Sequence, residues 1–219
     1  MILKLEAKIT ALEHRINFNF ALSKVKDRVA EVLMDQVDEL QQYTRRYSVV
    51  IRGIEKKQKE THNDLVAEVE KVVGEIDCEV TMNDVDKLHR VGPVKGDKQD
   101  CVVRFKSHSA KENFYLKRKS GPRRHIKIGP SLTPSRRELL NDAQYVVEDY
   151  IEKNIGSNLP EFVYADMHGN LKVKMTHNLG RTSFFKFTSI QDLSHIIDKC
   201  QTPKASGDYN NYMYSSWET

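Results

Sequence analysis

The chain has 219 residues, of which 39% are hydrophobic and 30% are charged, and its formal net charge is +4. This length allows one or two compact domains beside an extended helix, but it excludes a large catalytic fold. The sequence contains no apolar run of the ~18 residues that a membrane span requires and no visible signal peptide, so it predicts no membrane partner.

The first 46 residues predict a coiled coil. Apolar residues recur at alternating steps of three and four, the spacing that turns one face of a helix towards a partner helix. The predicted oligomerisation positions are Ile2, Leu5, Ile9, Leu12, Ile16, Asn19, Leu22, Val25 and Val29. Asn19 interrupts the apolar seam, and it either fixes the register by pairing with amides of neighbouring helices or is a fault in a short coil.

The coiled-coil pattern gives way to a strand pattern at Gln41–Ile54. Arg45 and Arg46 separate the helix from Tyr47–Gly53, a β-branched run that ends on a turn glycine. One interpretation is that this arginine pair offsets the dipole at the C-terminus of the helix. The alternative is that oligomerisation gathers these arginines into a ring that faces a nucleic acid.

Residues 47–129 predict the order strand, helix, strand, strand, helix, strand. The predicted strands are 47–53, 85–91, 100–106 and 123–129, and the predicted helices are 62–76 and 108–118, the second capped by Ser109. This βαββαβ order is the ferredoxin-like arrangement that the RNA-recognition motif shares. That motif carries stacking aromatics on its first and third strands, whereas Val50, Asp100 and Val102 stand there in this chain. We therefore predict a degenerate motif that relies on Arg, Lys and phosphate contacts.

Residues 130–199 predict a small α+β domain that binds nucleic acid. Thr133 and Pro134 begin a helix that runs to about Asn154. The later elements are a hairpin of EFVYAD and NLKVKM around His168-Gly169, a strand with Phe184, Phe185 and Phe187, and a last helix capped by Ser189. The predicted fold class is thus α+β, and residues 200–219 are predicted to be a disordered tail.

Charge is segregated along the chain. The 37 residues that begin at Cys101 contain 11 Lys and Arg against one acid, whereas the 60 residues that begin at Asp27 contain 8 bases and 15 acids. Aromatic residues are interleaved with the basic stretch, which is the pattern of phosphate-backbone binding. The alternatives are a solvated lysine-rich face and a nuclear-localisation signal in Lys117–Lys119 and Arg123-Arg124.

A second arginine pair, Arg136 and Arg137, lies in the first turn of the helix predicted from Pro134. The helix dipole disfavours cations at that end. A pair placed against the local field is better explained by a ligand, because the two side chains and the exposed N–H groups of the helix can hold a phosphate together.

Patterns of catalysis and metal binding are absent from the sequence. It contains no P-loop, HExxH, GxSxG or Gly-rich dinucleotide fingerprint. Cys78, Cys101 and Cys200 are odd in number and form no CxxC pair, which argues for a reducing compartment without a disulfide framework or a zinc site. We therefore expect no enzyme, no cofactor, no metal and no small-molecule substrate.

Four segments carry a resemblance to a known family. QQYTRRYSVVIRGI, CVVRF, HIKIGPSLTPSRRELLNDA and FVYADMHGNLKVKM occur in this order, and they resemble the first open-reading-frame protein of LINE-type non-LTR retrotransposons. The resemblance covers residues 38–198. The C-terminal part is also similar to the baculovirus few-polyhedra protein.

The resemblance implies a homo-oligomeric chaperone that clamps single-stranded RNA or DNA and coats retroelement RNA into a ribonucleoprotein particle. It implies a trimer, with a dimer as the alternative, and a cytoplasmic location with the nucleus as a second compartment. A viral structural or trafficking protein of the few-polyhedra type is the alternative function. The chain departs from the vertebrate trimerisation motif, because Leu33 follows Arg28-Val29 where that motif has Glu.

The resemblance also implies which residues contact the nucleic acid. The basic stretches and the pairs at the two helix ends match the family's basic positions, and Tyr164 resembles a hairpin aromatic that meets a base. The implied nucleic-acid-binding residues are Arg45, Arg46, Arg90, Arg104, Lys117, Arg118, Lys119, Arg123, Arg124, Arg136, Arg137 and Tyr164.

Overall fold

The computed structural model of the chain describes residues 2–76, 79–119, 126–154, 159–177 and 181–201, and the side chains among them from residue 8 to residue 200. Helices and antiparallel sheets are combined, so the predicted α+β class is confirmed. The chain divides into two compact units, Met1–Thr44 and Arg45–Thr219. No helix within the described ranges is long and apolar enough to cross a membrane.

The first unit is one continuous helix, α1, over Ile2–Thr44. At its end the Thr44 hydroxyl donates to the carbonyl oxygen of Gln41 at 2.7 Å, and the chain turns before the first strand. The helix thus stops two residues before the boundary predicted at residue 46, because the turn occupies the positions of the arginine pair.

Apolar side chains of α1 are exposed along its length. The predicted seam positions among them are Ile9, Leu12, Ile16, Leu22, Val25 and Val29. Leu12 is 56% exposed and Ile16 is 65% exposed, so the helix by itself leaves this apolar surface in water. Asn19 is exposed too, and the side chains of Ile2 and Leu5 lie outside the described ones.

The second unit begins with a four-stranded sheet and two helices. Its elements are β1 (Ser48–Arg52), α2 (His62–Glu75), β2 (Val85–Lys95), β3 (Lys98–Phe105), α3 (His108–Lys117) and β4 (Lys127–Pro130). The strands pair antiparallel in the order β2-β3-β1-β4. The two outer positions of the sheet are therefore occupied by β2 and β4.

Two local predictions in this sheet were wrong. β2 does not stop at Val91 but continues through Gly92 and Pro93 to Lys95. Proline is tolerated there because β2 is an edge strand, on which a missing N–H donor breaks no ladder bond. The cap of α3 is Ser107 and not Ser109, since the Ser107 hydroxyl accepts a hydrogen bond from the N–H of Ala110 at 3.1 Å.

One hydrophobic core lies between this sheet and its two helices. β1 alternates, so that Val49 and Ile51 point into the core with residues of both helices. The apolar face of α2 contributes Leu65, Val69, Val72 and Val73. Phe105 of β3 and Phe114 of α3 pack at 5.3 Å between ring centroids. Burial of these side chains is the main force that holds both helices on one side of the sheet.

A three-stranded sheet and two more helices follow. Their elements are α4 (Pro134–Lys153), β5 (Leu159–Ala165), β6 (Leu171–Thr176), β7 (Thr182–Lys186) and α5 (Ile190–Gln201). The strands pair antiparallel in the order β5-β6-β7. Thr133 caps α4 and Pro134 is its first residue, as predicted. Asn154, predicted only as the approximate end of the helix, is its C-cap.

A second core lies under one face of this smaller sheet. It joins Val173 and Met175 of β6 to Val147 of α4 and Leu193 of α5. Phe187, predicted as part of the third strand, instead follows β7 and is buried in this core. The last helix extends to Gln201, beyond the start predicted for the tail, and residues 202–219 lie outside the described residues.

The predicted division at residues 129 and 130 remains a prediction. The two cores are separate clusters, yet all residues from Arg45 onward form a single compact unit. The contacts that join the two sheets are made largely by one turn, which also lies at the centre of the candidate site.

Candidate nucleic-acid interface

The turn between β5 and β6, Asp166–Asn170, is built by a carboxylate. The Asp166 side chain accepts hydrogen bonds from the backbone N–H groups of His168 and Asn170, both at 2.9 Å, and pairs with Lys172 at 3.2 Å. Burial acts to raise the pKa of Asp166, but the hydrogen bonds from Asn170 and Lys172 hold it below its ordinary value. Gly169 adopts a φ of 85°, which favours glycine. The turn is therefore rigid at neutral pH.

A buried lysine anchors this turn to the first sheet. Lys111 of α3 has no exposed surface, and its Nζ donates to the carbonyl oxygen of Met167. Burial lowers the pKa of Lys111, and the nearby carboxylates of Asp166 and Glu112 oppose that change. Met167 itself packs against the first core. The turn thus spans both halves of the second unit.

A continuous series of side-chain contacts runs from the turn after α1 to His168, in the turn between β5 and β6. Arg46 lies over the Tyr47 ring, with Cζ 4.6 Å from its centroid, and donates from Nη2 to the Tyr47 hydroxyl at 2.7 Å. Tyr47 meets His108 edge-on at 6.3 Å. His108 stacks on His168 at 5.7 Å with the planes 5° apart. We name Arg46, Tyr47, His108 and His168 the ring ladder.

One member of each predicted arginine pair is held by a residue of the C-terminal part of the chain. Arg45 donates from Nη1 to the Ser131 hydroxyl at 3.4 Å, which ties it to the segment that leads into α4. Arg136 donates from Nη1 to the carbonyl oxygen of Gly169 at 3.2 Å. Arg137 is exposed in the same first turn of α4. Arg136, directly, and Arg46, through the ring ladder, therefore reach the same turn although they are 90 positions apart in the sequence.

Among the basic residues at the end of α3 and just after it, Arg118 is held by contacts with that helix. The Arg118 guanidinium lies 3.8 Å above the Tyr115 ring and donates to the Tyr115 carbonyl at 2.6 Å. Burial raises the pKa of Tyr115, and the charge of Arg118 opposes the rise. Lys117 and Lys119 are exposed. Arg123 and Arg124 lie outside the described residues.

Arg90 has a different environment from the one that the resemblance implies. Its side chain is only 10% exposed and pairs with Glu60, from Nη2 to Oε1 at 2.6 Å and from Nε to Oε2 at 3.0 Å. It also donates to backbone carbonyl oxygens, one of them that of Ile54 at 3.2 Å. This guanidinium holds the fold together. By contrast, Arg104 is half-exposed and faces Asp86 at 3.5 Å.

The outer face of the first sheet has no aromatic ring at the three predicted stacking positions, although the exposed His89 lies in the same row as Val50 and Val102. Val50, opposite the core-facing Val49 and Ile51, is only 2% exposed. Val102 pairs with it on the neighbouring strand and is half-buried. Asp100 faces Arg52 at 3.8 Å. None of these three residues gives a base a ring to stack on, and the absence of stacking on this sheet stays a prediction.

Tyr164, the predicted base-contacting aromatic, lies on the second sheet. Its ring is 5.7 Å from that of Phe162 and 6.3 Å from that of Phe184. Sequence reasoning missed both of these partners, although alternation along the strands would have placed Phe162 on the same face as Tyr164. It also set His108 aside as a surface residue, because nothing local reveals its contact with His168.

Comparison with known proteins does not supply a function. No protein-family model matches the chain, and no curated protein is similar enough to it to count as a relative. What the chain does has to be inferred from its own residues and their contacts.

Proposed function

We propose that the chain is an oligomeric chaperone that binds single-stranded nucleic acid and coats retroelement RNA into a ribonucleoprotein particle. The observation that carries this proposal is that Arg136, directly, and Arg46, through the ring ladder, both reach the turn between β5 and β6. Arginines beside stacked rings suit phosphates and unpaired bases. The resemblance of the same segments to retroelement proteins supports the same function.

We further propose that residues 47–129 have the ferredoxin-like fold of a degenerate RNA-recognition motif. The strand order β2-β3-β1-β4 supports this, as does the packing of α2 and α3 into one core. With Val50, Asp100 and Val102 at its predicted stacking positions, this domain contributes cations and a fixed position for the ring ladder. The two predicted domains would then close on one strand from both sides.

A salt titration tests the proposal. If the four arginines of the two predicted pairs each neutralise one phosphate, the affinity for a 20-nucleotide single strand should fall with a log–log slope of about −3. Fluorescence anisotropy between about 50 and 200 mM salt should then show a loss of about fiftyfold. Affinity that does not depend on salt would refute the proposal, and so would an equal preference for duplex RNA.

Chaperone activity needs its own measurement. Annealing and exchange of complementary strands should accelerate at protein concentrations that coat the strands. A protein that binds single strands but accelerates neither reaction would favour the structural protein of the few-polyhedra type.

The arginines at the start of α4 should separate binding from folding. Arg137→Ala should weaken binding several-fold and reduce the salt slope by about 0.7, with unchanged stability, because the side chain is exposed and one phosphate contact is lost. Arg136→Ala should in addition lower the free energy of unfolding by about 1 kcal/mol, since its bond to Gly169 is lost. Lys71→Ala, an exposed cation on α2, is the control and should change neither quantity. Full binding by both arginine variants would contradict the assigned interface.

Self-association should depend on α1. The double variant Leu12→Asp and Ile16→Asp should be monomeric, because two charges on the apolar stripe cannot be buried between helices. Light scattering should give the mass of three chains, or of two, for the unchanged protein. His14→Asp places the same charge on the opposite side of the helix and should keep the oligomer. A monomeric unchanged protein at tens of micromolar would rule out this part of the proposal.

A further inference from the structure

We infer that the outer face of the β5-β6-β7 sheet is a stacking platform for the bases of a single-stranded nucleic acid, with Phe162 and Phe184 as its principal rings. The inference rests on the proposed function and adds to it a second surface, on the strands that the arginine-bound turn connects. It assigns to the smaller sheet the base contacts that Val50, Asp100 and Val102 of the first sheet cannot make.

Strand register arranges this platform in two rows. Phe162, Lys174 and Phe184 lie opposite one another on the three strands. Tyr164, Lys172 and Lys186 form the next row, two residues along each strand. Because side chains alternate between the faces of a strand, all six point to the same side. Each row therefore has a lysine at its centre with an aromatic ring beside it.

This face is open, whereas the other face is covered. Val163, Val173 and Met175 point to the opposite side and are buried in the second core with α4 and α5. Phe162 is 48% exposed and Phe184 is 55% exposed. Cross-strand aromatic pairs stabilise a sheet to some extent. They do not account for two phenylalanines and a tyrosine left together in water on one small sheet.

The lysines indicate which partner fits the exposed rings. Lys174 Nζ lies 5.6 Å from the centroid of Phe162 and is held there by its ion pair with Glu161. Lys172 is fixed by Asp166, and Lys186 makes no ion pair within the described residues. Proteins that bind single strands without sequence preference combine aromatic rings, on which bases stack, with cations that contact the phosphates. A protein partner with an apolar surface would bury the charge of Lys186 without a partner and would bury the ion pairs of Lys172 and Lys174 with it.

A strand without bases provides the direct test. Binding of a 20-nucleotide oligothymidine is compared with that of an abasic strand of equal length and charge. Phe162→Ala and Phe184→Ala should each weaken binding of oligothymidine about tenfold, the usual effect of losing one stacked base. Neither change should affect binding of the abasic strand. Tyr145→Ala, an aromatic that is 72% exposed on α4, is the matched control and should bind both strands normally.

The salt dependence distinguishes stacking from charge. The two alanine variants should lower the affinity at every salt concentration while leaving the log–log slope unchanged, because no phosphate contact is lost. Failure of the proposed function would look different, since the unchanged protein would then bind neither strand. Equal binding of the alanine variants and the unchanged protein to oligothymidine, with normal salt dependence, would overturn the platform alone.

Conservative variants separate stacking from simple apolar contact. Phe184→Leu should bind oligothymidine as weakly as Phe184→Ala, and Phe184→Trp should bind at least as well as the unchanged protein. The chain has one tryptophan, Trp217, so Phe184→Trp in a Trp217→Phe background places a single reporter on the sheet. Its fluorescence should be quenched by oligothymidine and not by the abasic strand. Full binding by the leucine variant, or a change of oligomer mass in either Phe184 variant, would assign the face to protein contacts and overturn the inference.

Discussion

Replacing Arg90 with alanine should lower the free energy of unfolding by about 3–5 kcal/mol, the usual cost of removing one partner from a buried ion pair. Glu60, whose side chain is 8% exposed, would keep its charge in a poorly hydrated place. The carbonyl oxygen of Gln99 would also lose the donor that Arg90 supplies, whereas that of Ile54 would keep its bond from the N–H of Gln99. This loss is a large fraction of the stability of a typical domain, so the midpoint of unfolding should fall markedly.

Urea denaturation followed by circular dichroism measures this effect. Arg104→Ala is the matched control on the neighbouring strand, and it should cost no more than about 1 kcal/mol because its pair with Asp86 is exposed. Arg90→Lys should recover only part of the stability, since an ammonium cannot form the two-pronged bond to Glu60. A fully stable Arg90→Ala protein with weakened RNA binding would restore the role that the resemblance implies for Arg90.

The second large effect concerns Lys111. Lys111→Ala should lower the free energy of unfolding by about 2–5 kcal/mol, because it leaves a cavity and takes the donor away from the Met167 carbonyl. Lys111→Met fills most of the volume and removes the burial of a charge, so its cost should be clearly smaller. Equal stability of the alanine variant and the unchanged protein would show that the turn is not anchored by this side chain.

The protonation of Lys111 gives an independent check. Its folded pKa is lowered from 10.5 by burial, so the unfolded chain binds more protons than the folded one between the folded pKa and 10.5. Stability should therefore rise with pH in that window. The difference in unfolding free energy between the unchanged protein and Lys111→Met should shift in favour of the unchanged protein as the pH rises from 8 towards 10.5. A constant difference would contradict the lowered pKa.

Local signals in the sequence were sufficient for several elements. The helix from Pro134 to Lys153 was predicted with its N-cap and with an end at about Asn154, because the Thr133 side chain acts on its own neighbours. The extension of β2 through Pro93 was missed, since a proline ends a central strand and not an edge strand. Which strand lies at the edge depends on the pairing of the whole sheet, and no local pattern encodes it.

The candidate site depends even more on contacts between residues that are distant in the sequence. Charge segregation identified the basic pairs, but it could not distinguish Arg90 from Arg104. The difference lies in Glu60, 30 residues upstream of Arg90, which approaches only when the sheet forms. The burial of Lys111 could not be predicted either, because in the sequence it is one more cation in a basic stretch. Its buried position depends on a turn more than 50 residues later.

The turn between β5 and β6 has a consequence for how such a chain can change over time. By position in the sequence, Met167 and His168 belong to the second half of the unit. Their side chains nevertheless contact the first half, where Met167 packs against the first core and His168 stacks on His108. A recombination that exchanged residues 130–201 for those of a distant relative would bring a turn without its matching Lys111 and His108. The two sheets should therefore be inherited together, and a functional chimera should require that α3 and this turn come from the same parent.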